Sequence, residues 1–168
     1  MPSVIKNAKK TSPVAKAPGI WLMKSEPDVC SLADLKRTNT TTWDGVRNYE
    51  ARNHMRSMAV GDRVLFYHSN AEPSGVAGLA EVSKAAFPDH TAFDPASPYY
   101  DPKSSPEDPR WWMVEVRFIR EFPRVLPLTD LRQIPELADM QLFKRSRLSV
   151  VPVGQHHYDL LLRLAAGG

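Results

Sequence analysis

Apolar positions in this chain fall into short blocks whose spacing changes repeatedly. Ile20-Trp21-Leu22-Met23-Lys24 is a near-continuous apolar run, which predicts a buried first strand ending at Ser25-Glu26-Pro27. Ser31 stands where an N-cap belongs and Asp34 falls at the third helical position, so a short helix through Leu35 follows. The polar, β-branched stretch Thr38 to Thr42 reads as extended chain leading into a turn at Trp43. Asn48 is placed to cap a second helix, on which Ala51, Met55 and Met58 recur at i, i+4 and i+7 before Gly61-Asp62 stops it.

Strand patterns dominate the middle of the chain. Val64-Leu65-Phe66-Tyr67 is apolar on both faces, as a central strand requires, with His68-Ser69 at its end, and Gly75 to Val82 resumes extended structure. Trp112, Val114, Val116 and Phe118 alternate with Glu115 and Arg117, the signature of a half-buried strand. Between these, Phe87 to Arg110 is too rich in proline for a sheet interior, yet it carries Tyr99-Tyr100. An ordered excursion packed on the sheet, forming one wall of a site, is expected there. Beyond it come a short helix near Leu128 to Gln133, a strand around Val150 to Val153, and a final helix whose apolar stripe is Tyr158, Leu161, Leu162 and Ala165. Short strands broken by helices, with no regular βαβ alternation, predict an α+β domain around a small curled sheet.

The chain has 168 residues, 42% of them hydrophobic, which suits one domain with a single core. Residues 1–18 hold Lys6, Lys9, Lys10 and Lys16 among prolines with little to bury, and read as a flexible basic tail ahead of a domain at 19–168. The formal charge is +3, so without those four lysines the body stands near −1. A polyanion would have to be held by a local patch and a specific pocket rather than by overall charge. The sequence has no apolar signal segment and no membrane-length run, which points to an intracellular protein with no membrane partner. The single Cys30 reads as a small, partly buried hydrophobe. No apolar helix face is left over, so a monomer is expected.

The candidate chemistry centres on Trp43-Asp44-Gly45-Val46-Arg47-Asn48-Tyr49, which gathers aromatics, a guanidinium and a side-chain amide around a glycine turn. Such groups stack on a flat ring, read a base edge and hold a phosphate. A tight turn before a helix uses the same residues. No G-x-G-x-x-G or Walker sequence exists, so no nucleotide cofactor is expected. His156-His157 are adjacent, with no third metal ligand at a useful spacing, and read as helix-end histidines rather than a metal site. Lys24-Ser25-Glu26 offers groups for proton transfer, but nothing in the sequence supplies an oriented nucleophile and base.

Four segments together carry a family resemblance: Trp21 to Pro27, Trp43 to Asn53, Tyr99 to Lys103 and Ser146 to Val150. In that order they resemble the EVE domains, over about residues 20 to 164. The resemblance implies a PUA-like fold, a curled and mostly antiparallel β pseudo-barrel flanked by short helices and related to YTH domains. It implies a non-catalytic reader of a modified base, foremost a 5-modified cytosine such as 5-methylcytosine or 5-hydroxymethylcytosine in DNA. Its alternatives are an RNA-modification reader and a small hydrolase acting on a nucleoside or amide. A eukaryotic member would act in the nucleus, and a bacterial one in the cytoplasm or nucleoid.

Carried onto this chain, the binding surface draws on Trp21, Lys24 and Ser25, on Trp43, Gly45, Val46, Arg47 and Asn48, on Tyr67, His68 and Ser69, and on Ser146, Arg147 and Leu148. In this scheme Trp43 stacks on the base, Asn48 reads its edge, and Arg47 or Lys24 meets phosphate. Each has a structural rival. Trp21 can belong to the core, Asn48 can serve only as a cap, Arg47 can orient the loop, His68 can be a structural donor, and Arg147 can lie on a solvated face.

Overall fold

In the computed structural model, which describes residues 18–167, six strands form one sheet in the order β2-β5-β4-β3-β1-β6. The strands are β1 (Ile20–Ser25), β2 (Thr40–Thr42), β3 (Arg63–His68), β4 (Gly75–Pro88), β5 (Trp112–Pro127) and β6 (Val150–Pro152). The helices are α1 (Pro27–Cys30), α2 (Leu32–Thr38), α3 (Tyr49–Ser57), α4 (Leu128–Leu131), α5 (Gln141–Lys144) and α6 (Gln155–Gly167). All strand pairs are antiparallel except β1 with β3, whose parallel register aligns Lys24 with Tyr67 and Ser25 with His68. A parallel pair needs a crossover, and α1, α2, β2 and α3 provide it. The expected α+β class is therefore what the chain adopts. The basic tail lies, Pro18 apart, outside the described residues.

The core lies between the sheet and the helices, with Leu22, Met23, Leu35, Met55, Leu65, Phe66, Val114 and Leu161 all buried. α2 starts with a reciprocal capping box: Ser31 Oγ accepts from the Asp34 N–H, and the Asp34 carboxylate accepts from the Ser31 N–H. Ala51 and Met55 are the buried residues of α3, with Met58 just beyond its end. β4 and β5 run further than the apolar alternation shows, and their pairing shifts register at four places. These irregularities bend the β4–β5 pair, and β5 is largely exposed between Arg117 and Arg124, so the alternating pattern stops while the hydrogen bonding continues. The proline-rich excursion is held by its own polar groups. Trp111 Nε1 donates to Asp101 at 2.7 Å, the Asp101 N–H donates to Ala92 O, and Ser104 Oγ accepts from the Arg110 N–H.

Candidate functional site

The loop from Trp43 to Asn48 has no regular hydrogen bonding, yet it is fixed at both ends. The Trp43 N–H donates to Val114 O at 2.7 Å, and the indole packs edge-on against Phe66. At the other end Asn48 Oδ1 accepts from the Ala51 N–H at 2.9 Å, capping α3. Between them Gly45 adopts φ +78°, and a Cβ there would stand 2.7 Å from the Tyr99 ring. Both the left-handed backbone and the close aromatic demand glycine.

From beneath, the loop is held by Asp89, whose side chain is fully buried. One carboxylate oxygen accepts from the Gly45 N–H at 2.8 Å and from Arg47 Nη1 at 3.0 Å, while the other accepts from the Thr91 N–H and hydroxyl. Burial alone would raise this carboxyl's pKa. The hydrogen bonds from Thr91, Gly45 and Arg47 outweigh it and hold the group below the usual aspartate range. Arg47 in turn engages all five of its donors, two on Tyr99 O and the others on Val46 O, Asp89 and Thr91 Oγ1. The guanidinium thus staples the loop to the proline-rich excursion and has no donor left for a phosphate. Of the two roles weighed for Arg47, the geometry gives it the orienting one.

Above this frame opens a cavity of about 380 Å³. Lys24, Ser25, Trp43, Gly45, Val46, Arg47 and Asn48 line it, so seven of the residues expected from the sequence come together. Tyr99 completes one wall, as the aromatic, proline-rich excursion suggested. Asp44, inside the Trp43–Asn48 turn, also lines it, as do Glu26, Val29, Cys30, Thr41, Thr42 and Ser149, which were not foreseen as binding-surface residues. Asp44 had a signal, since it lies inside the motif itself. Its carboxyl is raised above the ordinary value, first by burial and then by the nearby charge of Asp89. Lys24 donates to Ser146 O at 2.8 Å, and its pKa is lowered by burial. Ser25 Oγ donates to Cys30 O, Glu26 accepts from Asn70, and burial raises the Cys30 thiol pKa. These groups are each turned to a different partner rather than aligned as a nucleophile and base.

A second cavity of about 290 Å³ adjoins the first through Asn48 and is lined by Lys144, Arg145, Ser146, Arg147 and Leu148. Arg145 is paired with Glu50 through its two terminal guanidinium nitrogens, which leaves Lys144 and Arg147 as the exposed cations there with no ion-pair partner among the described residues. Leu148 is nearly buried and serves the core.

The remaining expected residues lie outside both walls. Trp21 Nε1 donates to Asp62 at 3.0 Å and its ring packs on His54, away from the cavity mouth. Tyr67 is buried beside Lys24. His68 accepts from the Leu32 N–H through Nε2, and burial lowers its pKa, so it anchors α2 as a neutral imidazole. It acts as an acceptor, not the donor weighed from sequence. Ser69 supports β1 by donating its N–H to Ser25 O. Tyr67 and His68 flank Lys24 and Ser25 in the sheet, and none of the four residues lines either cavity.

Comparison with known families matches residues 19–164 to the EVE domain. The chain belongs to the EVE-domain family. Human thymocyte nuclear protein 1 is 44% identical, with 86% of this chain and 72% of the human protein covered. Among similar solved structures, a hypothetical protein from Leishmania major is 50% identical with a TM-score of 0.88, covering 91% of this chain and 98% of its own. Human THYN1 protein, solved in complex with DNA containing 5-methylcytosine, is 43% identical with a TM-score of 0.84, covering 88% and 97%. The six-stranded sheet and short helices described above are thus the EVE architecture.

Proposed function

We propose that this EVE domain is a non-catalytic reader of a 5-modified cytosine in DNA. The observation that carries the reading is the position of Asn48, shared between a base-sized cavity with aromatic walls and a second cavity edged by Lys144 and Arg147. A flipped nucleotide needs both: a pocket for its ring and, one sugar away, cations for its phosphate. The relative solved with 5-methylcytosine DNA supports the same partner.

A 5-methyl group alone does not identify methylcytosine, because thymine carries it too. The two differ at position 4, where cytosine presents an amino donor and thymine a carbonyl acceptor. The Asp44 carboxylate in the cavity wall is an acceptor suited to the amino group, and it repels the thymine oxygen. Asn48 Oδ1 is committed to its cap, whereas no partner is found for Nδ2 among the described residues. That amide N–H serves an acceptor on the ring edge. Trp43 and Tyr99 supply the aromatic surface, and Val46 supplies apolar surface for a 5-substituent. Unstacking a base costs a few kcal/mol and aromatic stacking returns about 1 to 3, so these polar contacts decide whether binding is net favourable.

The test is a tryptophan-fluorescence titration with matched DNA strands carrying cytosine, 5-methylcytosine, 5-hydroxymethylcytosine, thymine or N6-methyladenine at one position, at fixed salt, with an RNA set alongside. Tightest binding to a 5-modified cytosine, with thymine rejected and the preference lost in Asp44→Asn, is the expected outcome. Equal, salt-erased binding to every strand would overturn base readout.

A further inference from the structure

The first turn of α6 carries His156 and His157, and the sequence places no third metal ligand at a regular spacing from them. Folding supplies one. Asp139 follows the 3-10 turn Pro135–Leu137 and lies against the start of α6, so that one donor atom each from Asp139, His156 and His157 falls within 4.8 Å of the others. His157 Nε2 and Asp139 Oδ1 are 2.8 Å apart, and the two imidazole centroids are 3.9 Å apart at 41°. The cluster opens onto a separate cavity of about 340 Å³. His157 is buried, while His156 and Asp139 are exposed at its rim.

We infer that Asp139, His156 and His157 form a three-ligand site for a borderline divalent transition-metal ion, with Zn²⁺ as reference occupant. Two imidazoles and one carboxylate suit zinc and its neighbours better than the all-oxygen shells of calcium or magnesium. With metal–ligand bonds of about 2.0 to 2.2 Å, tetrahedral donors stand roughly 3.3 to 3.6 Å apart, a spacing the three groups would reach by side-chain rotation. The Asp139 to His157 contact opens slightly as the ion enters. With the ion on Nε2, the His157 imidazole would carry its proton on Nδ1.

Gly154 gives the rings room to turn: a Cβ there would stand 3.2 Å from His156 Cε1 and 3.5 Å from His157 Nδ1. An Asp139–His157 pair by itself would explain two members of the cluster but not the exposed His156 ring held against them. The N-terminal end of α6 disfavours a cation, so the Asp139 charge is an essential ligand rather than an accessory one. A bound ion would tie the Pro135–Met140 segment to the β6–α6 junction.

The experiment uses the whole 168-residue chain, stripped with chelator and titrated with Zn²⁺ by calorimetry and with Co²⁺ by visible absorption, alongside thermal melts. One equivalent should bind saturably, with Co²⁺ giving a low-symmetry spectrum and the melting midpoint rising with Zn²⁺. His156→Ala and Asp139→Asn change exposed side chains, and each should weaken Zn²⁺ at least tenfold, while His90→Ala leaves it unchanged. Absence of saturable one-to-one binding, or an affinity that survives both substitutions, would overturn the site.

Discussion

Arg47 and Asp89 meet at 3.0 Å, and the Asp89 oxygen that receives Arg47 also receives the Gly45 N–H. One carboxylate therefore fixes both the glycine turn and the side chain that staples it to Tyr99. Asp89→Asn keeps the shape but leaves Arg47 without its counter-charge. We expect a loss of about 1.5 to 3 kcal/mol in chemical denaturation, because the lost contacts are charge-assisted and part-buried. A near-zero change would mean that the loop is held by Trp43 and Asn48 alone.

The same carboxylate gives stability a pH dependence of known sign. Its folded pKa lies below the unfolded aspartate value near 4, so the folded state favours the ionised form. The contribution is complete above that value and disappears as pH falls through the folded one. Wild-type stability should therefore drop more steeply on acidification than that of Asp89→Asn, measured by urea melts from pH 6 downward.

Asn48 permits a clean separation of capping from reading. Asn48→Asp retains an oxygen for the Ala51 N–H and suits a helix start, so stability should stay within a few tenths of a kcal/mol. It removes the amide N–H, and binding of modified DNA should fall about tenfold or more. Asn48→Ala should lose both, with about 1 kcal/mol of stability. If Asn48→Asp binds as the wild type does, the amide reads nothing.

On the proposed reading, Asp44 should make binding itself pH-dependent. Burial and the neighbouring Asp89 raise its pKa, so the carboxylate is protonated at a higher pH than an ordinary aspartate. Affinity for a cytosine-type base should decline as pH falls toward that value, and the decline should be absent in Asp44→Asn. A pH profile shared by the two proteins would remove Asp44 from recognition.

Gly45→Ala should be severe for one residue. It forces a side chain into φ +78° and against the Tyr99 ring, at a cost of roughly 1 to 3 kcal/mol, with loss of DNA binding. Adding Tyr99→Ala relieves the collision but not the backbone, so the double variant should recover only part of the thermal midpoint.

Local periodicity made α3, its Asn48 cap and the core strands readable, since each is decided within a few residues. The proline-rich excursion could be placed as a wall because aromatics and prolines exclude both disorder and a sheet interior. Trp21 could not be placed, because alternation shows which face of a strand is buried but not which end of the fold a ring serves. Its partner Asp62 is 41 residues away. Asp89 went unnoticed for the same reason: its ligands Gly45 and Arg47 are 44 and 42 residues distant, and nothing local marks an aspartate that will be buried. Asp139 is a third example, meeting His157 across 18 residues that include α5 and β6.

The hydrogen bond from Lys24 to Ser146 O spans 122 residues of sequence. Because this contact stands at the cavity wall, the pocket is completed only when the last strand has docked on the first. Long loop closures of this kind come late and slowly in folding, so a nascent or truncated chain would be blind to its ligand. Assembly of the cavity is thus coupled to docking of the C-terminal third, and a chain lacking β6 should lack the wall that Ser149 supplies.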